Sequence, residues 1–137
     1  MLTYTQKGLF CNPGKFYIDP IRPVKTAIIT HGHADHARWG MGHYIATPDT
    51  CAIMKVRIGA DISTKSYPYH QSFDLGSVKI TFIPAGHILG SAQVIIDDGQ
   101  SRAIVTGDFK TDHDPTVDAF ESQPTDLLVM ETTFALP

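Results

Sequence analysis

Four side chains of metal-ligand type fall within six positions of one another: His31, His33, Asp35 and His36, in the run TAIITHGHADHARW at residues 26–39. In an extended segment residues i and i+2 point the same way, so His31 and His33 can grip one cation together. Once the chain turns, Asp35 and His36 are free to face a neighbouring position. Two further residues of the same type stand in the same setting, just past an apolar run: His87 after TFIPAG and Asp108 after AIVTG. Neutral imidazole and carboxylate are ligands of choice for zinc and similar divalent ions, and catalytic sites leave one position open for water. Two such ions about 3.5–4 Å apart, bridged by a carboxylate, form a hydrolytic centre. Asp108 is the candidate for the bridge. Taken singly, each residue has an ordinary reading: a lone histidine is usually a partly buried polar residue, and an aspartate in TGDF suits a turn. The repetition at successive strand ends is what argues for a site.

Other residues stand closer to the ordinary reading. Asp19 follows FYI and precedes Pro20, which suits a turn, yet a carboxylate there could also hold a metal-binding histidine by its second nitrogen. Glu131 ends DLLVME, and a carboxylate at the mouth of an apolar strand calls for a partner or a function. His43, His70 and His113 have no ligand-type partners nearby, and Trp39 is expected as a core or rim aromatic. Asp112 and Asp114 belong to a polar stretch that reads as a solvated loop. Lys110 and Arg38 lie close enough to the ligand candidates to touch a phosphate, although surface basic residues seldom have so specific a task.

The elements that must carry these residues are mostly short strands. KFYID (15–19), KTAIIT (25–30), HYIAT (43–47), SVKITFIPA (77–85), AQVIIDD (92–98), SRAIVTG (101–107) and DLLVME (126–131) are rich in Val, Ile, Thr and aromatics and bounded by Gly, Pro, Asn and Asp. Asp98 and Gly99 predict a hairpin between the fifth and sixth of these. One helix is predicted, capped by Thr47 or Asp49, with Pro48 in its first turn and Ile53, Met54, Val56 and Ile58 before Gly59. Gly86 and Gly90 allow sharp backbone turns beside His87. The plan is α/β and rich in strands.

With 137 residues, 42% apolar and 18% charged, the chain reads as one globular domain or part of one. A net charge of −3 gives no bulk attraction to nucleic acid, so polyanion binding would rest on local charge or on metal ions. Two cysteines, Cys11 and Cys51, are too few for a disulfide framework and predict a reducing, cytoplasmic setting. MLTYTQKGLF lacks the marks of a signal peptide, and no apolar run is long enough to span a membrane.

HGHADH, AGHILGSAQ, TGDF and METTF, taken in order, resemble the successive motifs of metallo-β-lactamase-fold nucleases of the β-CASP group. The run GLFCNPGKFYIDPIRPVKTAIITHGHADHARWG followed by ATPDT is most similar to bacterial ligase-associated DNA exonucleases. H-x-H-x-D-H alone would point only to the broad fold, which hosts many activities; the later motifs narrow the resemblance to nucleic-acid processing. It implies an αββα sandwich, of which residues 1–137 are the N-terminal, strand-rich portion, with the β-CASP segment, the closing strands and one further zinc-binding histidine expected beyond Pro137. It implies two zinc ions, replaceable by manganese: His31, His33 and His87 on the first, Asp35 and His36 on the second, Asp108 on both. Asp19 matches an aspartate supporting the ligands, and Glu131 an acidic residue acting in proton transfer with a later histidine. The expected activity is phosphodiester hydrolysis on nucleic acid, DNA before RNA, as an exonuclease associated with a DNA ligase and repair. RNA processing, hydrolysis of a small ester or thioester, and a non-catalytic metal-binding remnant are the rival expectations. The family's usual E-S-T-F/Y-G reads here Glu131-Thr132-Thr133-Phe134-Ala135, so a hydroxyl is kept and a glycine is lost.

Overall fold

A computed structural model describes residues 1–112 and 114–130. Two mixed sheets lie face to face. The first runs in the order β1(Leu2–Thr5), β2(Gly8–Cys11), β3(Phe16–Ile18), β4(Thr26–Ile28), β5(His43–Ala46), β6(Thr64–Ser66), antiparallel up to β3 and parallel from there on. The second has the order β11(Leu127–Val129), β10(Arg102–Val105), β9(Ala92–Asp97), β8(Val78–Pro84), β7(Phe73–Leu75), antiparallel except for the parallel pair β10 and β11. The predicted hairpin is β9 and β10, whose connection is turned by Gly99 at φ +91° and by the Asp98 carboxylate, which accepts from the amides of Gln100 and Ser101.

Alternation along the strands divides the apolar residues between faces. Phe16, Ile18, Ile28 and Ile45 of the first sheet meet Ile80, Phe82, Val94, Ile96 and Val105 of the second, and these form the central core. Each such side chain, fully buried, stabilises by about 1.5–3 kcal/mol, more than a typical net hydrogen bond of about 1 kcal/mol. The apolar core therefore drives the sheets together, and polar contacts at their rim decide how they seat.

The single described helix, α1(Pro48–Arg57), packs on the outer face of the first sheet against Ala27, Ile29, Tyr44 and Ala46. Thr47 is its N-cap, as expected, accepting from the Thr50 amide. Its buried face is Thr50, Cys51 and Met54; Val56, expected among the packed residues, is 90% exposed. The layers are thus helix, sheet, sheet. On the far face of the second sheet, Ile83, Ile95 and Ile104 form a small buried cluster of their own. No described helix is long and apolar enough to cross a membrane. Both cysteines are buried free thiols whose pKa burial raises.

Candidate metal centre

All the ligand candidates among the described residues converge at one end of the sandwich, where β4, β8 and β10 stop. Thr30, two residues past β4, marks the place where the sheets meet. Its carbonyl accepts from the Ala92 amide at the head of β9, and its side chain fills the space a side chain on Gly107 would need, with a built Cβ only 2.7 Å from Thr30 Oγ1. Gly107, at φ +58°, lets the chain leave β10 through that contact and present Asp108.

The His31–His36 loop is braced from beneath. Arg57, the last residue of α1, donates from Nε to the Gly32 carbonyl at 3.1 Å and from Nη2 to the Ala37 carbonyl at 2.7 Å. His36 and Ala37 donate their amides back to the His33 carbonyl, which closes the turn that aims Asp35 and His36 away from the strand. The loop carrying His87 is pinned to the same helix. Gly86 and Gly90 take φ +75° and +80°, and the Gly90 carbonyl accepts from the hydroxyls of Thr47 and Thr50 at the helix start. Ser91 Oγ accepts the amides of His87 and Ile88.

Four donors face one another across this end: His31, His33, His87 and Asp108, all within 4.8 Å. His33 Nδ1 is 3.3 Å from His87 Nε2; Asp108 Oδ2 is 3.6 Å from His31 Nε2 and 3.7 Å from His87 Nε2. Ligands about 2.0–2.1 Å from a tetrahedral zinc are separated by roughly 3.3 Å, so the spacing fits a divalent cation with little movement. His31 is fully buried, and its Nε2 has no hydrogen-bond partner among the described residues. A buried lone pair aimed into such a cluster is what a cation would satisfy. On the other side of Asp108, its Oδ1 lies 3.5 Å from His36 Nε2, which is 3.6 Å from Asp35 Oδ2. One carboxylate thus faces both groups of imidazoles.

Asp19 sits behind the cluster. Its Oδ1 accepts the Thr30 amide at 2.8 Å, and its Oδ2 accepts the Thr30 hydroxyl at 2.6 Å and His36 Nδ1 at 2.7 Å. Although its oxygens are also close to His31 and His36, they are occupied by three hydrogen bonds, through which Asp19 holds the Thr30 and His36 side chains in place. The Thr30 hydroxyl has one hydrogen and gives it to Asp19, so at 3.0 Å it accepts from His31 Nδ1. One carboxylate therefore sets two tautomers, that of His36 directly and that of His31 through Thr30, and leaves both Nε2 atoms facing the cluster. In the metal-free protein, burial, reinforced by His36, His87 and His33, lowers the pKa of His31 to about 3. Burial also opposes charge on His36, but the hydrogen bond and charge of Asp19, with Asp108 and Asp35, outweigh it and raise the pKa to about 9. Burial lowers His87 too, against the pull of Asp108.

The remaining candidates lie elsewhere. His43 meets Ser63 Oγ at 2.7 Å and His70 meets Glu121 at 2.8 Å, both away from the cluster. Glu131 and His113 lie outside the described residues. Trp39, expected as a core or rim aromatic, is 77% exposed and belongs to none of the described core clusters. Sequence reading passed over Thr30 and Arg57, since a hydroxyl beside a histidine and a lone arginine at a helix end carry no signal until the fold brings their partners.

The family described as "Beta-lactamase superfamily domain" matches residues 3–137. A "Probable DNA ligase" from Opitutus terrae is 30% identical over 132 residues, which is 95% of this chain and 13% of the ligase. The "Endoribonuclease YSH1" of Eremothecium gossypii is 34% identical over 68 residues, 48% of this chain and 9% of that protein. "Cleavage and polyadenylation specificity factor 73" of Drosophila melanogaster is 26% identical over 113 residues, 77% of this chain and 16% of that protein. The chain thus spans less than a fifth of the length of these curated relatives. Among solved structures, a metallo-beta-lactamase from Cronobacter sakazakii aligns with a TM-score of 0.53 at 16% identity, covering 77% of this chain and 57% of that one, a likeness of fold. By its sequence pattern and its paired sheets, the chain belongs to the β-lactamase superfamily and has the metallo-β-lactamase fold.

Proposed function

We propose that the cluster is the binuclear metal centre of a phosphodiester hydrolase that acts on nucleic acid, as a DNA exonuclease working in the cytoplasm beside a DNA ligase. The observation that carries this reading is Asp108, whose two oxygens face His31 and His87 on one side and His36 on the other. His31, His33, His87 and Asp108 would hold one ion, zinc or in its place manganese; Asp35, His36 and Asp108 would hold part of a second. Held there, divalent cations supply Lewis acidity for the phosphate and activation of the attacking water. The chain's own contribution is placement. Asp19 and Thr30 keep the buried His31 and the half-buried His36 with their Nε2 atoms inward, and the exposed His33 and Asp35 leave the cluster open to substrate on one side. Glu131 is assigned proton transfer to the leaving oxygen, with a histidine further along the whole protein.

DNA as substrate is supported by the ligase relative, which aligns over nearly the whole chain. A second reading, RNA cleavage, is favoured by the endoribonuclease relatives, whose similarity covers from 48% to 81% of it. The test is release of nucleotides from labelled single- and double-stranded DNA and RNA, with zinc or manganese, beside a thioester and a lactam. Release from DNA, abolished by Asp108→Asn, is expected. Cleavage of RNA alone moves the assignment to the second reading, and turnover of the thioester or lactam alone overturns both.

A further inference from the structure

Trp39, the chain's only tryptophan, stands 77% exposed three residues past His36. Single exposed apolar residues are common on protein surfaces, but this one is held in place and has unusual company. The buried Tyr44 donates its hydroxyl to the Arg38 carbonyl at 2.6 Å and receives the Met41 amide, while Arg57 grips the Ala37 carbonyl. The indole is thus displayed from a backbone fixed on both sides. It lines an open groove of about 470 Å³, shared with Ile21, Pro23 and three arginines, Arg22, Arg38 and Arg57, and no acidic residue lines it among the described residues. Arg57 is engaged with backbone carbonyls; Arg22 and Arg38 are exposed. In a chain of net charge −3 this is a local concentration of cations around one flat aromatic face. The groove also leads to the metal centre, because Ile21 and Arg38 line in turn a second cleft that contains Asp19, Asp35 and His36.

We propose that this groove binds single-stranded nucleic acid, with one base stacked on Trp39 and the neighbouring phosphates against Arg22 and Arg38, so that the strand runs toward Asp35 and His36. This rests on the hydrolase reading above for the identity of its ligand. Aromatic faces flanked by arginines suit single strands because every base has a face to stack and every linkage a charge to pair. A duplex, whose bases are already stacked, offers only the charge.

Trp39 is also the probe. An oligodeoxyuridylate and an oligouridylate, titrated separately into the metal-free protein, are expected to quench its fluorescence saturably, and the stronger of the two identifies the preferred sugar. With a labelled oligonucleotide, Trp39→Ala is expected to raise Kd about tenfold or more, and Trp39→Phe to recover most of that loss. Arg22→Ala and Arg38→Ala should each lower the slope of log affinity against log salt by about 0.7. Equal quenching by inorganic polyphosphate or by duplex, or an unchanged Kd in Trp39→Ala, overturns the proposal. If Trp39→Ala leaves affinity unchanged while the wild type still hydrolyses nucleic acid, the groove assignment fails and the hydrolase reading stands. If no nucleic acid is hydrolysed but quenching and the variant effects persist, the groove assignment stands and the hydrolase reading fails.

Discussion

The two sides of the histidine cluster are built differently. On the inner side, His31 and His36 are held through their second nitrogens, one by Thr30 and the other by Asp19, in a network that is closed among protein atoms. On the outer side, His33 and Asp35 are exposed, and His33 meets the rings of His31 and His87 edge-on. Water can solvate the outer residues in the absence of a cation, whereas His31 is fully buried and His36 keeps 13% of its side chain exposed. Where solvent is excluded, the protein itself supplies the partners that fix tautomer and direction. The inner side is thus fixed by protein partners, whereas the outer side is left to solvent.

Acid and base should expose the difference most strongly. In the unfolded chain both imidazoles titrate near about 6.5. Burial holds His31 down to about 3, so between those values the unfolded chain takes a proton that the folded chain refuses, and stability falls as pH falls. His36, raised to about 9 because Asp19, Asp108 and Asp35 outweigh its burial, keeps a proton that the unfolded chain has lost, and stability falls as pH rises from about 6.5 toward 9. Urea midpoints of chelator-treated protein are expected to peak near the ordinary histidine pKa. Zinc should flatten the alkaline limb, since a metal-bound His36 has already lost its proton. A flat alkaline limb without metal breaks the account of the inner side.

Asp19→Ala removes the acceptor of three hydrogen bonds and strands the buried Thr30 donors and the half-buried His36 donor, and should lower the metal-free unfolding free energy by about 3 kcal/mol, read from urea curves. Thr30→Val interrupts only the relay to His31. It is expected to reduce stability by about 1–2 kcal/mol and zinc affinity by about tenfold, with Thr30→Ser recovering most of both, by unfolding curves and competition with a chromogenic chelator. His33→Ala sharpens the contrast from the other side: zinc affinity drops in the same competition assay while metal-free stability stays within about 0.5 kcal/mol. A large loss of metal-free stability in His33→Ala would mean that the outer side is as tightly built as the inner.

The ligand candidates were legible in the sequence because the fold uses one device three times, a strand that ends and delivers a histidine or aspartate. H-x-H-x-D-H is dense enough to stand out alone, and His87 and Asp108 gained meaning from repeating its setting. What escaped were residues defined by their partners. Thr30 is one of many threonines until Asp19, Ala92 and Gly107 gather around it. The helix was recognisable, but its inward face was not: Thr50 is buried because its hydroxyl meets the Gly90 carbonyl, a residue 40 positions away, while Val56 is left outside. β1, β2, β6 and β7, of three or four residues each, are too short to show an alternating pattern and exist by pairing with neighbours. Trp39 reads in the sequence as a core or rim aromatic, and the choice between the two rests on the loop that carries it, which is anchored by Tyr44 and turns the indole outward.

Thr30 has a consequence for the order of events in folding. Its carbonyl joins the sheets, its methyl and hydroxyl occupy the hollow left by Gly107, and the same hydroxyl passes the influence of Asp19 to His31. Seating one sheet on the other and readying the deepest ligand are therefore a single step. An incompletely folded chain can offer a passing ion only the local run His31, His33, Asp35 and His36, and the four-donor cradle with His87 and Asp108 comes into being when the sandwich closes. Metal capture then reports on completed folding, and the rate at which newly made protein acquires tightly held zinc should follow the rate at which the two sheets dock.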